Sequence, residues 1–312
     1  MLHLKKLSET QKASVLKLID ETTAIDNTPP ISEHILLYLR HGGNKADSHL
    51  MVEKNSQIIG YAYLDKSDPI SGPSVQLVVD PRHRDNSVDK QLLSKAVEIC
   101  GTNLTLWVRG NLPLSNSLLK SFTFKKIRSV YQMSKSLNNF QSINKMDLQI
   151  VFRNFLPEQD SKAWLSLNNR VFKDHPEQGN WQLSDLNIRL KEEWFDSKSF
   201  FIVEYRNLMI GSIWIKTHSP NKLSLTKNSR QIGEIYQVAV DPDFQRRGLG
   251  KRLTIIANNY LISKGFKNSI LYVDEINTSA LKLYSSIGFK ISNKDTLMKL
   301  IYQSKIGDSG TY

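Results

Sequence analysis

The chain should fold in the α/β (α+β) class as two related units, each a mixed sheet flanked by helices, and three observations lead there. Short apolar, β-branched runs alternate with stretches of helical periodicity. The order of those runs repeats once, about 150–160 residues on, which marks a duplication and excludes a solenoid. Between the copies, residues 137–145 are polar and weakly periodic, as a linker is.

Each copy presents its parts in the same order. The first has an apolar run at 60–63, a second at 75–79 that stops at Asp80-Pro81, a helical stretch, a run at 104–108 and a last one at 122–125. The second has 211–214, then 238–240 ending at Asp241-Pro242, a helical stretch, 270–273 and 287–290. After Asp241-Pro242, Leu253, Ile256, Ala257, Tyr260 and Leu261 recur at helical spacing, with Lys251, Arg252, Asn258 and Asn259 off that face, and Gly265 ends the helix. Residues 270–273 are branched and apolar, as a buried strand is. Asn277 then opens another helix, with Leu281 and Tyr284 at helical spacing until Gly288. The boundaries expected are 1–137 for the first domain, 138–148 for the linker, 149–302 for the second domain and 303–312 for a polar tail.

Composition narrows the setting. A length of 312 residues allows two cores. The net charge of +12 fits a soluble surface or an anionic ligand, and no interleaved aromatic and basic motif points to nucleic acid. Cys100 is the single cysteine, so an intrachain disulfide and a zinc framework are excluded, and its apolar surroundings suit an inert thiol. No run approaches the ~20 apolar residues of a membrane span, and the first residues lack a signal-peptide core. A cytoplasmic, monomeric protein without membrane or nucleic-acid partners and without a metal is the expectation.

The most specific local feature is Gln245-Arg246-Arg247-Gly248-Leu249-Gly250, between an apolar strand and an amphipathic helix. Glycines let a diphosphate approach the main chain, the helix start offers unpaired N–H groups, and two arginines add charge. No Lys-Ser/Thr follows the glycines, so this is not a nucleotide-hydrolysing P-loop. The corresponding turn of the first copy, residues 84–89, has lost both glycines and carries Asp85 and Asp89.

Together with the pattern Asn277-x-x-Ala280-x-x-x-Tyr284-x-x-x-Gly288-Phe289, this turn resembles the GCN5-related N-acetyltransferase (GNAT) superfamily. A narrower resemblance, to the mycothiol synthase family of tandem acetyltransferases, is carried by residues 174–179, 194–196, 214–218, 233–236 and 271–274, and more loosely by 26–33. The resemblance implies two tandem GNAT domains with mostly antiparallel sheets, and acetyl-CoA as co-substrate. The acceptor implied is the cysteinyl amine of a cysteine–glucosamine–inositol conjugate; another small-molecule or protein amine is the alternative.

It also implies residue roles. Val238, Ala239 and Val240 would meet the pantetheine arm. Gln245, Arg246, Arg247, Gly248, Leu249, Gly250 and Lys251 would hold the pyrophosphate. Asn277, Thr278, Ser279, Ala280, Leu281 and Lys282 would flank the cofactor from the next helix. Glu234 would act as base and Tyr284 as acid. Glu177, Lys216, Glu234 and Tyr272 would line the acceptor pocket, with Glu33 reaching from the first copy. A second acetyl-CoA site would fall at Leu77, Val78 and Val79, and the lost glycines speak against it.

Overall fold

The computed structural model describes residues 1–26, 28–42, 47–66, 72–110, 122–142, 149–175, 178–218 and 232–301. Its strands are β1 (Leu2–Leu4), β2 (Ser48–Lys54), β3 (Gln57–Asp65), β4 (Ser74–Val79), β5 (Thr105–Arg109), β6 (Phe124–Ser136), β7 (Ile150–Asn154), β8 (Phe200–Tyr205), β9 (Leu208–His218), β10 (Ile232–Val240), β11 (Asn268–Asp274) and β12 (Lys290–Leu300). Its longer helices are α1 (Glu9–Asp26), α2 (Glu33–His41), α3 (Val88–Cys100), α4 (Pro157–Val171), α5 (Leu183–Leu190), α6 (Leu249–Ser263) and α7 (Thr278–Ser286). Both copies are mixed α/β, as the alternation of periods implies.

Two compact units divide the chain. Unit 1 holds Met1–Val130 and the chain from Lys294 onward; unit 2 holds Tyr131–Asn293. The divisions between these units fall within β6 and β12. In unit 1 the strand order is β1-β2-β3-β4-β5-β12. There β4 and β5 run parallel, and residues 295–299 of β12 pair antiparallel with β5. In unit 2 the order is β6-β11-β10-β9-β8-β7, with β10 and β11 parallel and β7 to β10 antiparallel to their neighbours. Among the described residues, no helix is long and apolar enough to cross a membrane.

The pleat sends alternate side chains of each strand to opposite faces. In unit 2, Ile213 and Ile215 of β9 pack with Leu253, Ala257 and Leu261 of α6. Trp214 goes to the other face, with Phe155, Trp164 and Phe200. Trp214 and Phe200 are cross-strand partners and stack at 4.5 Å with 6° between planes, a contact worth ~0.5–1.5 kcal/mol beyond burial. Asn258 departs from the helical pattern: it is 1 % exposed, because α6 is covered on more than its apolar stripe.

In unit 1 the equivalent faces hold Leu92, Leu93 and Ala96 of α3 on one side and Val15, Leu18 and Ile19 of α1 on the other. The α1 face also encloses polar groups. His49 Nδ1 and Tyr61 Oη lie 2.8 Å apart, and Tyr63 donates to Asp47. Burial lowers the His49 pKa to about 4, so the ring is neutral. Cys100, half-buried at the end of α3, has its thiol pKa raised by burial, the state of an unreactive cysteine.

Candidate functional site

The site in unit 2 starts from two strands that part company. The parallel register of β10 with β11 runs from Ile232↔Asn268 to Ile235↔Leu271, yet β10 continues to Val240. Val238, Ala239 and Val240 stay paired on their other side, with Ile213, Ser212 and Gly211 of β9. Among the described residues no strand pairs with them on the β11 side, where Val240 O accepts from Gln245 and an added chain could satisfy the rest. An extended, amide-bearing chain is what such an edge accepts.

Just before the splay, β10 carries a bulge between Ile235 and Gln237. The extra residue, Tyr236, breaks the alternation, so that Tyr236 and Gln237 face the same side. Tyr236 packs on Trp194 at 5.0 Å and Trp214 at 5.3 Å, while Gln237 bonds Asn168 at 3.0 Å. Bulges re-aim side chains next to functional sites.

Beyond Val240 the chain turns sharply. Asp241 accepts from Asp243 N at 3.0 Å and pairs with Arg170, holding the short 3₁₀ turn Pro242–Phe244. Gln245 is turned back, its Nε2 donating to Val240 O at 3.1 Å, so it braces the strand end. Arg246 sits at φ 61° and Gly248 at φ 81°. Gly248 is the N-cap of α6, and among the described residues no side chain caps it, so first-turn N–H groups face outward with the positive end of the helix dipole. Arg247 donates to Asp243 O at 3.0 Å and rests 5.0 Å above Phe244. Gln245, Arg246, Arg247 and Lys251 are exposed, and Leu249 is buried.

The two glycines serve different ends. At Gly248 a Cβ would meet nothing within 4 Å, so the left-handed backbone is the requirement, and the space beside it is open. At Gly250 a Cβ would come 3.2 Å from Leu283 Cδ1. The second glycine thus sits where α6 packs closely on α7.

Glu234 and Lys216 are direct cross-strand partners and so share a face. Glu234 is 8 % exposed, and Lys216 Nζ lies 4.9 Å from the Trp194 ring centroid and 5.6 Å from that of Tyr236. Glu234 is also in register with Ile270 of β11, which puts Tyr272, two residues on, on the same face just past the last parallel pair. Tyr272 is 45 % exposed.

On α7, Tyr284 is half-buried with its ring 6.0 Å from Phe289, and burial pushes its phenol up to about 12. It is neutral throughout the physiological range, a proton donor by state. Asn277 caps α7, its Oδ1 accepting from Ala280 N at 3.1 Å and from the Ser279 hydroxyl at 3.0 Å. Thr278, Ser279 and Lys282 are exposed, while Ala280 and Leu281 pack on the core of unit 2.

The remaining expected positions are distributed otherwise. Glu33 lies in the first turn of α2, in unit 1. Glu177 falls outside the described residues. Leu77, Val78 and Val79 end β4 and are buried. His175 packs on Phe172 at 6.1 Å, and among the described residues no group of three His, Cys, Asp or Glu is placed to hold a metal.

Sequence reasoning missed Arg189, Tyr236 and Gln237. Arg189 Nε donates to Tyr236 Oη at 2.9 Å, and its guanidinium lies 3.9 Å from the Trp181 ring centroid. A bulge has no signature residue, and a buried arginine on a short helix reads as surface charge.

Comparison with known proteins places this arrangement. Residues 164–289 match the model of the Acetyltransferase (GNAT) family. A tandem GNAT protein from the clavulanic acid biosynthesis pathway superimposes with a TM-score of 0.69 at 14% identity, covering 97% of this chain and 99% of that one. A GCN5-related N-acetyltransferase from Sphaerobacter thermophilus gives 0.65 at 17%, covering 97% and 96%. Fold and splayed-strand site thus define an acetyl-CoA-dependent N-acetyltransferase of the GNAT class. The mycothiol acetyltransferase of Acidothermus cellulolyticus is 36% identical over 91% of this chain and 90% of its own length. That of Thermobispora bispora is 37% identical over 88% and 91%. The chain belongs to the mycothiol acetyltransferase family.

Proposed function

We propose that unit 2 transfers the acetyl group of acetyl-CoA to the cysteinyl amine of the cysteine–glucosamine–inositol conjugate, giving mycothiol and CoA. The carrying observation is the Glu234–Lys216 pair on β10, one residue before the last parallel pair at Ile235 and on the strand that leads to the left-handed Gly248 at the start of α6. Donor and acceptor chemistry thereby meet on one strand.

An α-amine of pKa roughly 7.7–8.0 needs little help to become neutral. Glu234, directly or through a water, takes the proton the amine loses as it attacks the thioester carbonyl. A main-chain N–H near Val238 or Ala239 meets the oxyanion, a donor worth roughly 3–4 kcal/mol. When the C–S bond breaks, the Tyr284 phenol gives its proton to the departing thiolate. Val238, Ala239 and Val240 bind the pantetheine. The 245–251 turn, with Arg246 and Lys251 as exposed charges on its rim, binds the pyrophosphate, and Asn277 to Lys282 border it. Lys216 and Tyr272, with Glu177 and Glu33, bind the polyol.

We read the two sequence copies, 1–137 and 149–302, as tandem domains joined at 138–148, with 303–312 a polar tail and the first copy a structural partner lacking its own acetyl-CoA site. The protein is read as a cytoplasmic monomer that uses no metal and has neither nucleic-acid nor membrane partners. Mass spectrometry of products from a panel of amines tests the acceptor: acetylation of the conjugate at its cysteinyl nitrogen is expected, and preference for an unrelated amine would replace this acceptor with that one.

A further inference from the structure

Both residues of the β10 bulge lead, by separate polar chains, to the same short segment, residues 178–181. From Gln237, Nε2 donates to Asn168 Oδ1 at 3.0 Å, and Asn168 Nδ2 donates to Gln178 O at 2.8 Å and to Asn169 Oδ1 at 2.9 Å. Asn169 then grips Trp181 main chain twice, donating to its O at 2.9 Å and accepting from its N at 3.2 Å. From Tyr236, the hydroxyl accepts from Arg189 Nε, and Arg189 stacks on the Trp181 ring. The circuit closes at Trp181.

The Gln237 arm is buried at its strand end and half-buried at Asn169 and Gln178. Asn168, Ser212 and Trp164 are each 0 % exposed, and Gln237 also accepts from Ser212 Oγ at 3.4 Å, which in turn accepts from Trp164 Nε1 at 3.0 Å. A satisfied chain of amides with a buried centre is stiff, because loosening Asn168 or Gln237 leaves buried polar groups unpaired. The bulge adds Tyr236 to the face of β10 that Gln237 shares with Ala239, so both chains start from one side of the strand; in a regular strand the Tyr236 and Gln237 side chains would oppose.

We propose that Asn168 is a positioning residue that holds segment 178–181 in fixed relation to the bulged strand, so that acceptor alignment and the oxyanion-binding main chain are set together. Its amide is the branch point: one oxygen takes the strand's Gln237, and one nitrogen serves both Gln178 and Asn169. The kinetic part of this inference rests on assigning the 174–179 loop to the acceptor; the structural part does not.

The experiment compares wild type with Asn168→Asp, which keeps the acceptor for Gln237 and loses both donations. Amide hydrogen exchange of the full chain without substrates is expected to rise at 178–181 and at 236–238 together. Unchanged exchange at 236–238 would overturn the coupling, whatever the acceptor proves to be. With the cysteinyl conjugate, KM for the acceptor is expected to rise about tenfold while KM for acetyl-CoA stays within twofold, as the loss of ordinary hydrogen bonds at one end predicts. A parallel rise in both KM values would mark a merely structural role and also overturn it. If wild type ignores the conjugate, the acceptor reading fails, and the exchange comparison still decides the coupling. Should Asn168→Asp not fold, Asn169→Ser cuts the same chain one step later and carries the same expectations.

Discussion

Strand β4 with the turn after it, in unit 1, and β10 with its turn, in unit 2, are built on one plan. Asp80 and Asp241 each end the strand and accept from the N–H two residues on. Parallel pairing stops at the corresponding place, Val75↔Leu106 in one and Ile235↔Leu271 in the other. Counting along the antiparallel neighbours, Ser74 opposite Asp65 corresponds to Glu234 opposite Lys216. Here the units separate. β4 pairs with β3 without interruption, and β10 is bulged.

The turns separate further. Ser87, at φ 55°, holds the helix-start position of Gly248, and Asp89, 1 % exposed, stands where Gly250 packs. The arginines of the first turn are already engaged: Arg82 with Asp80 and, at 3.6 Å, Glu21, and Arg84 with Asp26 at 3.0 Å. A carboxylate at a helix start repels a phosphate that the same helix dipole would otherwise attract. The end of parallel pairing is common to both units; unit 2 adds the bulge, the Glu234–Lys216 pair and, at residues 245–251, a cation-rich turn without carboxylates.

That contrast can be broken by substitution in matched pairs. Glu234→Gln is expected to lower kcat by ~10²–10⁴, with acetyl-CoA binding retained, while Ser74→Ala leaves both within twofold. Steady-state kinetics with separate acetyl-CoA titration checks this, and full activity of Glu234→Gln would remove it as base.

The next effect concerns stability and belongs to unit 1 alone. Folded His49 titrates near 4 and an unfolded histidine near 6.5, so on acidification the unfolded chain takes the proton first. The stability His49 preserves is complete above about 6.5 and drains as pH falls to about 4, by up to ~3 kcal/mol. Denaturant unfolding across that window, with His49→Gln as comparison, should show the slope flatten in the variant; equal slopes would contradict the assignment.

Gly248→Val should raise KM for acetyl-CoA about tenfold, because a β-branched residue at φ 81° disturbs the helix-start N–H groups proposed to meet the pyrophosphate. The paired change Ser87→Val should leave that KM alone. Smallest is a change of profile: with its phenol near 12, Tyr284 stays protonated where an ordinary tyrosine begins to ionise. As the acid works only when protonated, kcat should show no decline from this group between pH 9 and about 10.5, and Tyr284→Phe should lower kcat several-fold across the range. A limb centred near 10 that disappears in Tyr284→Phe would contradict the buried setting.

Much of this was legible in the chain because it depends on local chemistry. Asp-Pro stops a strand, glycine permits the left-handed step at 248, Asn277 caps a helix, and apolar spacing separates strand from helix. What depends on tertiary pairing was not. The bulge at Tyr236 looks like one more strand residue, and Arg246 takes a left-handed conformation with no glycine to announce it. Asn258 is buried against its helical position, and Gly250 answers to Leu283 on a helix thirty residues on. The division of β6 and β12 between units follows from which strand each meets, which periodicity does not encode. Gln76 shows the same limit: it occupies the Gln237 position and its Nε2 donates to Ser32 Oγ at 3.1 Å, a strut to α2 invisible in sequence.

Whether a single unit carries the donor site is tested most directly by calorimetric titration of the full chain with acetyl-CoA, run beside Gly248→Val and the double change Ser87→Val with Arg84→Ala. One equivalent is expected for wild type and for the unit 1 variant, with binding by Gly248→Val weakened about tenfold. Two equivalents in wild type, falling to one when residues 84 and 87 are changed, would show that the first turn binds acetyl-CoA after all.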